Sequence, residues 1–138
     1  MAELKNVYDI AGNSMASQLI RMNTIASNIA NAGTMTGNPE EAYKSIKPVF
    51  ESTYADQFQQ NGIASVIVTD VVEMDMKPSR IFMPFHPEAD AEGYVYGAAV
   101  NIEEEYVEMM ETSRQYQNNV EVITTMRALD MRTINMGK

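Results

Sequence analysis

Residues 4–32 carry apolar side chains at heptad spacing: Tyr8, Met15, Met22 and Ile29 recur every seventh position, and Ala11, Ile25 and Ala32 fall between them. Only Gln18 interrupts the stripe, so the segment predicts an amphipathic helix with one face suited to a second helix. No proline lies inside it, and Gly33 follows as an expected C-cap in the left-handed conformation. At 1.5 Å per residue this helix is roughly 40 Å long.

A second periodic run begins at Asn101. Asn101 and Glu104 have capping-box spacing, and Glu103, Glu104 and Glu105 put negative charge where the helix dipole favours it. Arg127, Arg132 and Lys138 lie toward the other end. Met109, Tyr116 and Ile123 keep the seven-residue spacing and Val120 joins them, before the stripe drifts to Met131 and Ile134. This helix is expected to reach roughly 50 Å.

The stretch between them reads differently. Residues 34–100 hold all five prolines and show no helical period. Short β-prone runs (PVFESTYA, ASVIVTDVV and GYVYG) alternate with turn signals such as Asn38-Pro39 and Asn61-Gly62. The pattern therefore predicts an α+β chain: an N-terminal helix in residues 1–33, a small antiparallel β-rich insertion with loops in 34–100, and a C-terminal helix in 101–138. The two long helices are expected to pair as a coiled coil.

Pairing two helices buries one stripe on each, yet Ile10, Leu19, Val122 and Leu129 lie off the seam. These extra apolar positions ask for further partners, and long terminal helices of this kind gain order when copies stack side by side. Twelve methionines suit surfaces that pack against several different neighbours. The expected subunit-packing positions are Met15, Met22, Ile25, Ile29, Tyr116, Val120 and Ile123, together with Asn28 and Asn31. In ASNIANAGT, residues 26–34, small side chains keep the helix end thin. Asn28 and Asn31 there offer amides that can bond a neighbour and mark register, or, for Asn28, simply face solvent.

Composition narrows the chemistry. With 138 residues and 45 % hydrophobic content the chain can fill a modest core. A net charge of −9 and a pI near 4.5 oppose binding to a nucleic-acid backbone. The absence of cysteine excludes thiolate metal sites and cysteine nucleophiles. The N-terminus lacks a basic start followed by an apolar segment, and no run reaches a membrane-spanning length, so neither a cleaved secretion signal nor direct membrane insertion is expected.

Catalytic and metal readings find little support. His86 is the only histidine and has no companion ligand. Asp70, Glu73 and Asp75, or Glu88, Asp90 and Glu92, could be imagined around calcium or magnesium, but neither set follows an EF-hand loop. No G-x-S-x-G, P-loop or dinucleotide fingerprint occurs. No catalytic residue, cofactor or metal is assigned. A soluble helical adaptor or export chaperone, binding a partner helix in a groove, is the competing function, and a metal-dependent hydrolase using the acidic turns is a distant third.

Two motifs point further. SNIANAGT at the end of the N-terminal helix resembles the SNxANxxT signature of the flagellar axial protein family, the rod, hook and hook-associated proteins. HPEADAEGYVYGAAVNIEEEYVEMMETSRQYQNNVEVI, residues 86–123, resembles the NPxADxxGYV pattern followed by VNxxxE in rod subunits of that family, with His86 standing where the family usually has Asn. The similarity extends over nearly all the chain. It implies a structural, non-enzymatic subunit of the bacterial flagellar basal-body rod, the drive shaft and export channel that spans the periplasm. It also implies self-association and contact with other proximal and distal rod proteins, the inner-membrane MS ring, a FliE-type adaptor and the flagellar type III export apparatus.

Overall fold

The computed structural model describes residues 2–54 and 64–137. Two helices frame the chain, α1 (Ala2–Asn31) and α2 (Ile102–Met136), with five strands between them: β1 (Met35–Thr36), β2 (Ile46–Tyr54), β3 (Ala64–Glu73), β4 (Ser79–Phe82) and β5 (Tyr94–Gly97). The class is α+β, and all strand pairing is antiparallel.

The helices lie side by side and run in opposite directions. Tyr8 donates to Asp130 at 3.0 Å, Asn119 to Ser14 at 2.9 Å, and Asn28 to Glu105 at 3.0 Å, so rising numbers on α1 meet falling numbers on α2. On α2 the inward positions step by four and three: Glu105, Met109, Thr112, Tyr116, Asn119, Ile123, Met126 and Asp130 are all buried or half-buried. Half of them are polar. Val120, expected in this stripe, is instead 40 % exposed, because Asn119 occupies the inward position beside it and bonds Ser14.

The end of α1 and the start of α2 are defined by side-chain bonds. Asn101 caps α2 by accepting from the Glu104 amide, as the spacing predicts. The last turn of α2 contains no basic residue; Arg127 and Arg132 fall earlier and Lys138 lies outside the described residues. At the end of α1, Asn31 Nδ2 donates to the Ser27 carbonyl, and the Thr34 amide and hydroxyl both donate to the Asn31 carbonyl. These bonds close the helix in a tight turn, so Gly33 does not adopt the left-handed conformation expected of it. Gly93 is the one glycine with positive φ among the described residues.

β2 and β3 form a long two-stranded ribbon with a register shift at Val49/Phe50, and they match the runs PVFESTYA and ASVIVTDVV. The turn expected at Asn61 and Gly62 lies outside the described residues. The ribbon leans on α1, where Ser17 donates to the Val66 carbonyl and Asn13 to the Ser65 hydroxyl. A second sheet, in the order β1-β5-β4, forms around the GYVYG run; β1, of two residues, and β4, of four, are not among the β-prone runs read from the sequence. Residues 43–46 stitch the parts together. Ser45 donates to the Ala99 carbonyl and accepts from the Met74 amide, and the Ala99 amide donates to Tyr43.

The interior is small and unusually polar. Among the described residues the buried set comprises Ala11, Ile25, Ala42, Val95 and Ala99 on the apolar side, Ser17, Thr24, Asn28, Ser45, Glu105 and Thr112 on the polar side, and Gly97. Burying Ile25 is worth about 2–3 kcal/mol, but the alanines contribute little. Hydrogen bonds therefore decide which arrangement of helices and ribbon is adopted.

Candidate functional site

Asn28, from SNIANAGT, is completely buried where α1, β2 and α2 converge. Its Nδ2 donates to the Ile46 carbonyl at 2.9 Å and to Glu105 Oε1 at 3.0 Å. Its Oδ1 accepts from the Ile46 amide at 2.9 Å and from the Tyr43 hydroxyl at 3.0 Å. An asparagine has two N–H donors and two acceptor lone pairs, and all four are used. The side chain is neither solvated nor available to another chain; it clamps the edge of β2 and the first turns of α2 onto the end of α1.

Glu105 is the residue that VNxxxE ends on, and it is 2 % exposed. One carboxylate oxygen takes the Asn28 bond while Oε2 is buried with no hydrogen-bond partner among the described residues. Burial pushes its carboxyl above the ordinary value of 4.5; the Asn28 bond and the Lys47 charge oppose that rise, and Glu108 and Glu104 add to it. Lys47 reaches Glu105 at 4.0 Å and pairs closely with Glu108, which also meets Arg21 at 3.6 Å. The joint is thus a buried amide and carboxyl under a half-exposed lattice of two cations and one further carboxylate. It offers no substrate cleft and no nucleophile; what it can do is fix the angle and register of two helices.

The other expected packing positions divide between the two sides of this seam. Ile25 is 2 % exposed and belongs to the interior. Met15, Met22, Ile29, Asn31, Tyr116 and Ile123 are half-buried, with Met22 accepting a weak bond from Ser113 and Asn31 bonded within α1. Sequence reasoning missed Tyr43, Lys47, Glu108 and Asn119. Glu105 and Asn119 were legible as members of a four-three spacing once polar residues are admitted to the stripe; Tyr43 and Lys47 carry no local signal, since only the fold brings them to Asn28.

The second motif builds a rigid turn. Asp90 Oδ1 accepts from the Glu92 and Tyr94 amides at 2.9 and 2.8 Å; the Tyr94 bond foremost holds its carboxyl below the ordinary 3.8, burial opposes it, and the Glu92 bond and the Arg80 charge add to the lowering. Gly93 follows at φ 83°, where a Cβ would sit 3.1 Å from both the Phe82 ring and Pro84. His86 Nδ1 accepts from the Glu88 amide at 3.1 Å, the bond an asparagine in that position makes two residues on. The departure at His86 therefore keeps the turn. Glu92 pairs with Arg80, whose guanidinium stacks 3.7 Å over Tyr94. The acidic residues of this loop serve the turn, and no cluster of three metal-ligating side chains occurs among the described residues. GYV is a turn leading into β5, whose Val95 is fully buried.

Comparison with known proteins agrees with this division into two motif-bearing segments. Residues 9–35 match the family model of the flagella basal body rod protein, and residues 91–136 match that of the flagellar basal body rod FlgEFG protein C-terminal region. Asn28 lies in the first and Glu105 in the second. The chain is 36 % identical to the flagellar basal-body rod protein FlgC of Escherichia coli O157:H7 over 135 residues, covering 98 % of both chains. It is 36 % identical to FlgC of Salmonella typhimurium over 135 residues and 38 % identical to FlgC of Yersinia enterocolitica over 136, again covering 98 % of each. With similarity of this degree running from end to end, and with both motifs meeting in one buried joint, the chain belongs to the FlgC family of flagellar basal-body rod proteins.

Proposed function

We propose that the chain acts in the rod by presenting its two terminal helices as one coiled pair to neighbouring subunits, so that torque passes through many parallel side-by-side contacts. As a member of the FlgC family it is a structural subunit of the flagellar basal body and not an enzyme. The observation that supports the finer reading is the apolar surface left over after the helices pair. Leu19, Val122 and Leu129, all off the seam, are 45, 45 and 49 % exposed, and Ile20, Val120 and Ile134 join them. A heterologous contact that does not close on itself makes a filament, and outward apolar stripes along both helices suit such contacts.

In this reading Met15, Met22, Ile29, Tyr116, Val120 and Ile123 contribute to packing inside or between helix pairs. Ile25 and Asn28 set the shape of the pair that is presented. Residues 1–33 and 101–138 are the assembling part and 34–100 the part that bears on lateral neighbours. The neighbours proposed are further copies, other proximal and distal rod proteins, the MS ring and a FliE-type adaptor, with delivery by the type III export apparatus. No helix among the described residues is long and apolar enough to cross a membrane.

Electron cryotomography of cells lacking the coding sequence, and of cells in which it is restored, tests the reading. Inner-membrane rings without rod, hook or filament, rescued by the restored chain, are the expected result. Complete flagella in the deletion strain, with no duplicate copy in the genome, overturn it.

A further inference from the structure

Glu105 is held in the interior on unequal terms. It is 2 % exposed; Asn28 Nδ2 donates to Oε1, and Oε2 has no hydrogen-bond partner among the described residues. A buried carboxylate needs several donors to offset the loss of water, and an uncharged carboxyl needs fewer.

The charged groups around it come from three elements. Lys47 of β2 stands 4.0 Å from Oε1, too far for a hydrogen bond, and pairs closely with Glu108. Arg21 of α1 also goes to Glu108, at 3.6 Å. Glu104 and Glu108 of α2 itself add like charge. With Glu105 ionised, the joint sets Glu104, Glu105 and Glu108 against Lys47 and Arg21; with Glu105 uncharged, the two signs balance. The positive end of the α2 dipole favours an anion, but Glu103 and Glu104 share it and lie nearer the helix start.

The rest of the joint does not depend on Glu105. The other three bonds of Asn28, to the amide and carbonyl of Ile46 and to the Tyr43 hydroxyl, hold β2 to α1 in either state. Further along the pair, α2 is anchored separately by Ser113 on Met22, Asn119 on Ser14 and Asp130 on Tyr8.

We propose that the joint is a proton-operated latch: its closed form holds Glu105 uncharged, and loss of that proton to solvent turns the side chain out to water and lifts the first two turns of α2 from α1, while β2 and the remainder of the helix pair stay in place. The latch is fully closed below the ordinary 4.5 and loosens as pH rises toward the higher folded value of Glu105, beyond which opening gains nothing more. It is a property of the single chain and stands whether or not the rod reading holds.

The test follows amide hydrogen exchange by NMR in the full chain, alone in solution, from about pH 4 to pH 8, corrected for the intrinsic rise of exchange with pH. Protection of the amides of residues 106–110 is expected to fall above 4.5 by up to about tenfold per pH unit, the slope of one proton, and then to level off, while protection in β2 stays constant. E105Q is expected to make protection of residues 106–110 independent of pH. The carboxyl resonance of Glu105 in the unaltered chain should move over the same range in which protection falls, and this measurement stands even where E105Q fails to fold. Protection of residues 106–110 that does not change with pH overturns the proposal, as does a fall of equal size in β2 or a fall that persists in E105Q. So does a Glu105 that titrates at its ordinary 4.5.

Discussion

Asn28 Nδ2 donates to Glu105 Oε1 at 3.0 Å across 77 positions of sequence, and this bond ties one family motif to the other. In the rod reading proposed above, the two helices must be held at one relative register, because neighbours would pack on the surface that the pair presents. A buried polar contact serves this better than an apolar one: methionines slide past one another at small cost, whereas displacing Asn28 breaks four bonds at once.

Replacing Asn28 by alanine is therefore expected to destabilise the chain by about 2–4 kcal/mol, since the Ile46 backbone, Tyr43 and Glu105 all lose a partner inside the fold. Asn31→Ala, which removes one half-buried bond to the Ser27 carbonyl, is expected to cost under about 1 kcal/mol. Urea unfolding of the two variants measures both, and equal losses would show that the clamp does not matter.

Stability near neutral pH carries the mark of Glu105. Its folded value lies above 4.5, so between 4.5 and that raised value the folded chain holds more protons than the unfolded one. The Glu105 contribution is complete below 4.5 and is lost as pH rises through the folded value. Asp90 runs the other way: its folded value lies below 3.8, so its contribution is present above 3.8 and lost as pH falls through the lower value. Glu105→Gln keeps an acceptor for Asn28 and is expected to flatten the decline above 4.5 while leaving the acid limb unchanged. Urea midpoints from about pH 3 to pH 7 decide the matter; a variant with the same slope as the parent above 4.5 would sink the assignment.

The two glycines at the motif turns are expected to part company. Gly93→Ala places a Cβ at φ 83°, 3.1 Å from Phe82 and Pro84, and should cost about 1–3 kcal/mol. Gly33→Ala meets nothing within 4 Å and needs no positive φ, so it should be neutral or stabilise by up to about 1 kcal/mol. Thermal melts of both variants provide the comparison. A costly Gly33→Ala would mean that the left-handed cap predicted from sequence is adopted after all.

The contrast at Gly33 shows how far the sequence could be read. Period gave both helices to within a few residues, and β-propensity gave β2, β3 and β5, because these signals are local. The exit from α1 was misjudged because Asn31 and Thr34 satisfy its last carbonyls by side chain, which leaves glycine nothing to do. The α2 stripe was placed one residue off at Val120 because a search for apolar periodicity passes over Glu105, Thr112, Asn119 and Asp130, the polar half of the inward face. The Asn28 clamp was beyond reach for a different reason: its partners Tyr43 and Ile46 have no sequence relation to it and arrive only when the chain folds back.

That one-residue offset can be tested on α2 itself. Asn119→Ala removes the 2.9 Å bond to Ser14 and is expected to cost about 1 kcal/mol, while Val120→Ala, at a position 40 % exposed, should change the isolated chain by less than about 0.5 kcal/mol. If Val120 instead packs against a neighbour, as the rod reading proposes, its truncation lowers motility without lowering the melting temperature. A melting temperature that falls more for Val120→Ala than for Asn119→Ala would return Val120 to the inner seam.

Ile29 separates folding from assembly most sharply. It is half-buried near the end of α1, one residue from the clamp, whereas Ile25 one turn earlier is 2 % exposed. An aspartate at Ile25 places an unpaired charge in the interior and should unfold the pair of helices. Ile29→Asp can turn its carboxylate toward water in the single chain, so the middle region should keep its fold, but a neighbour that covers Ile29 would have to bury that charge. The expected outcome is near-parental hydrogen exchange in β2–β5 together with loss of rods and of motility. Normal rods carrying Ile29→Asp would remove this position from the packing surface, and general unfolding of the strands would move it into the interior beside Ile25.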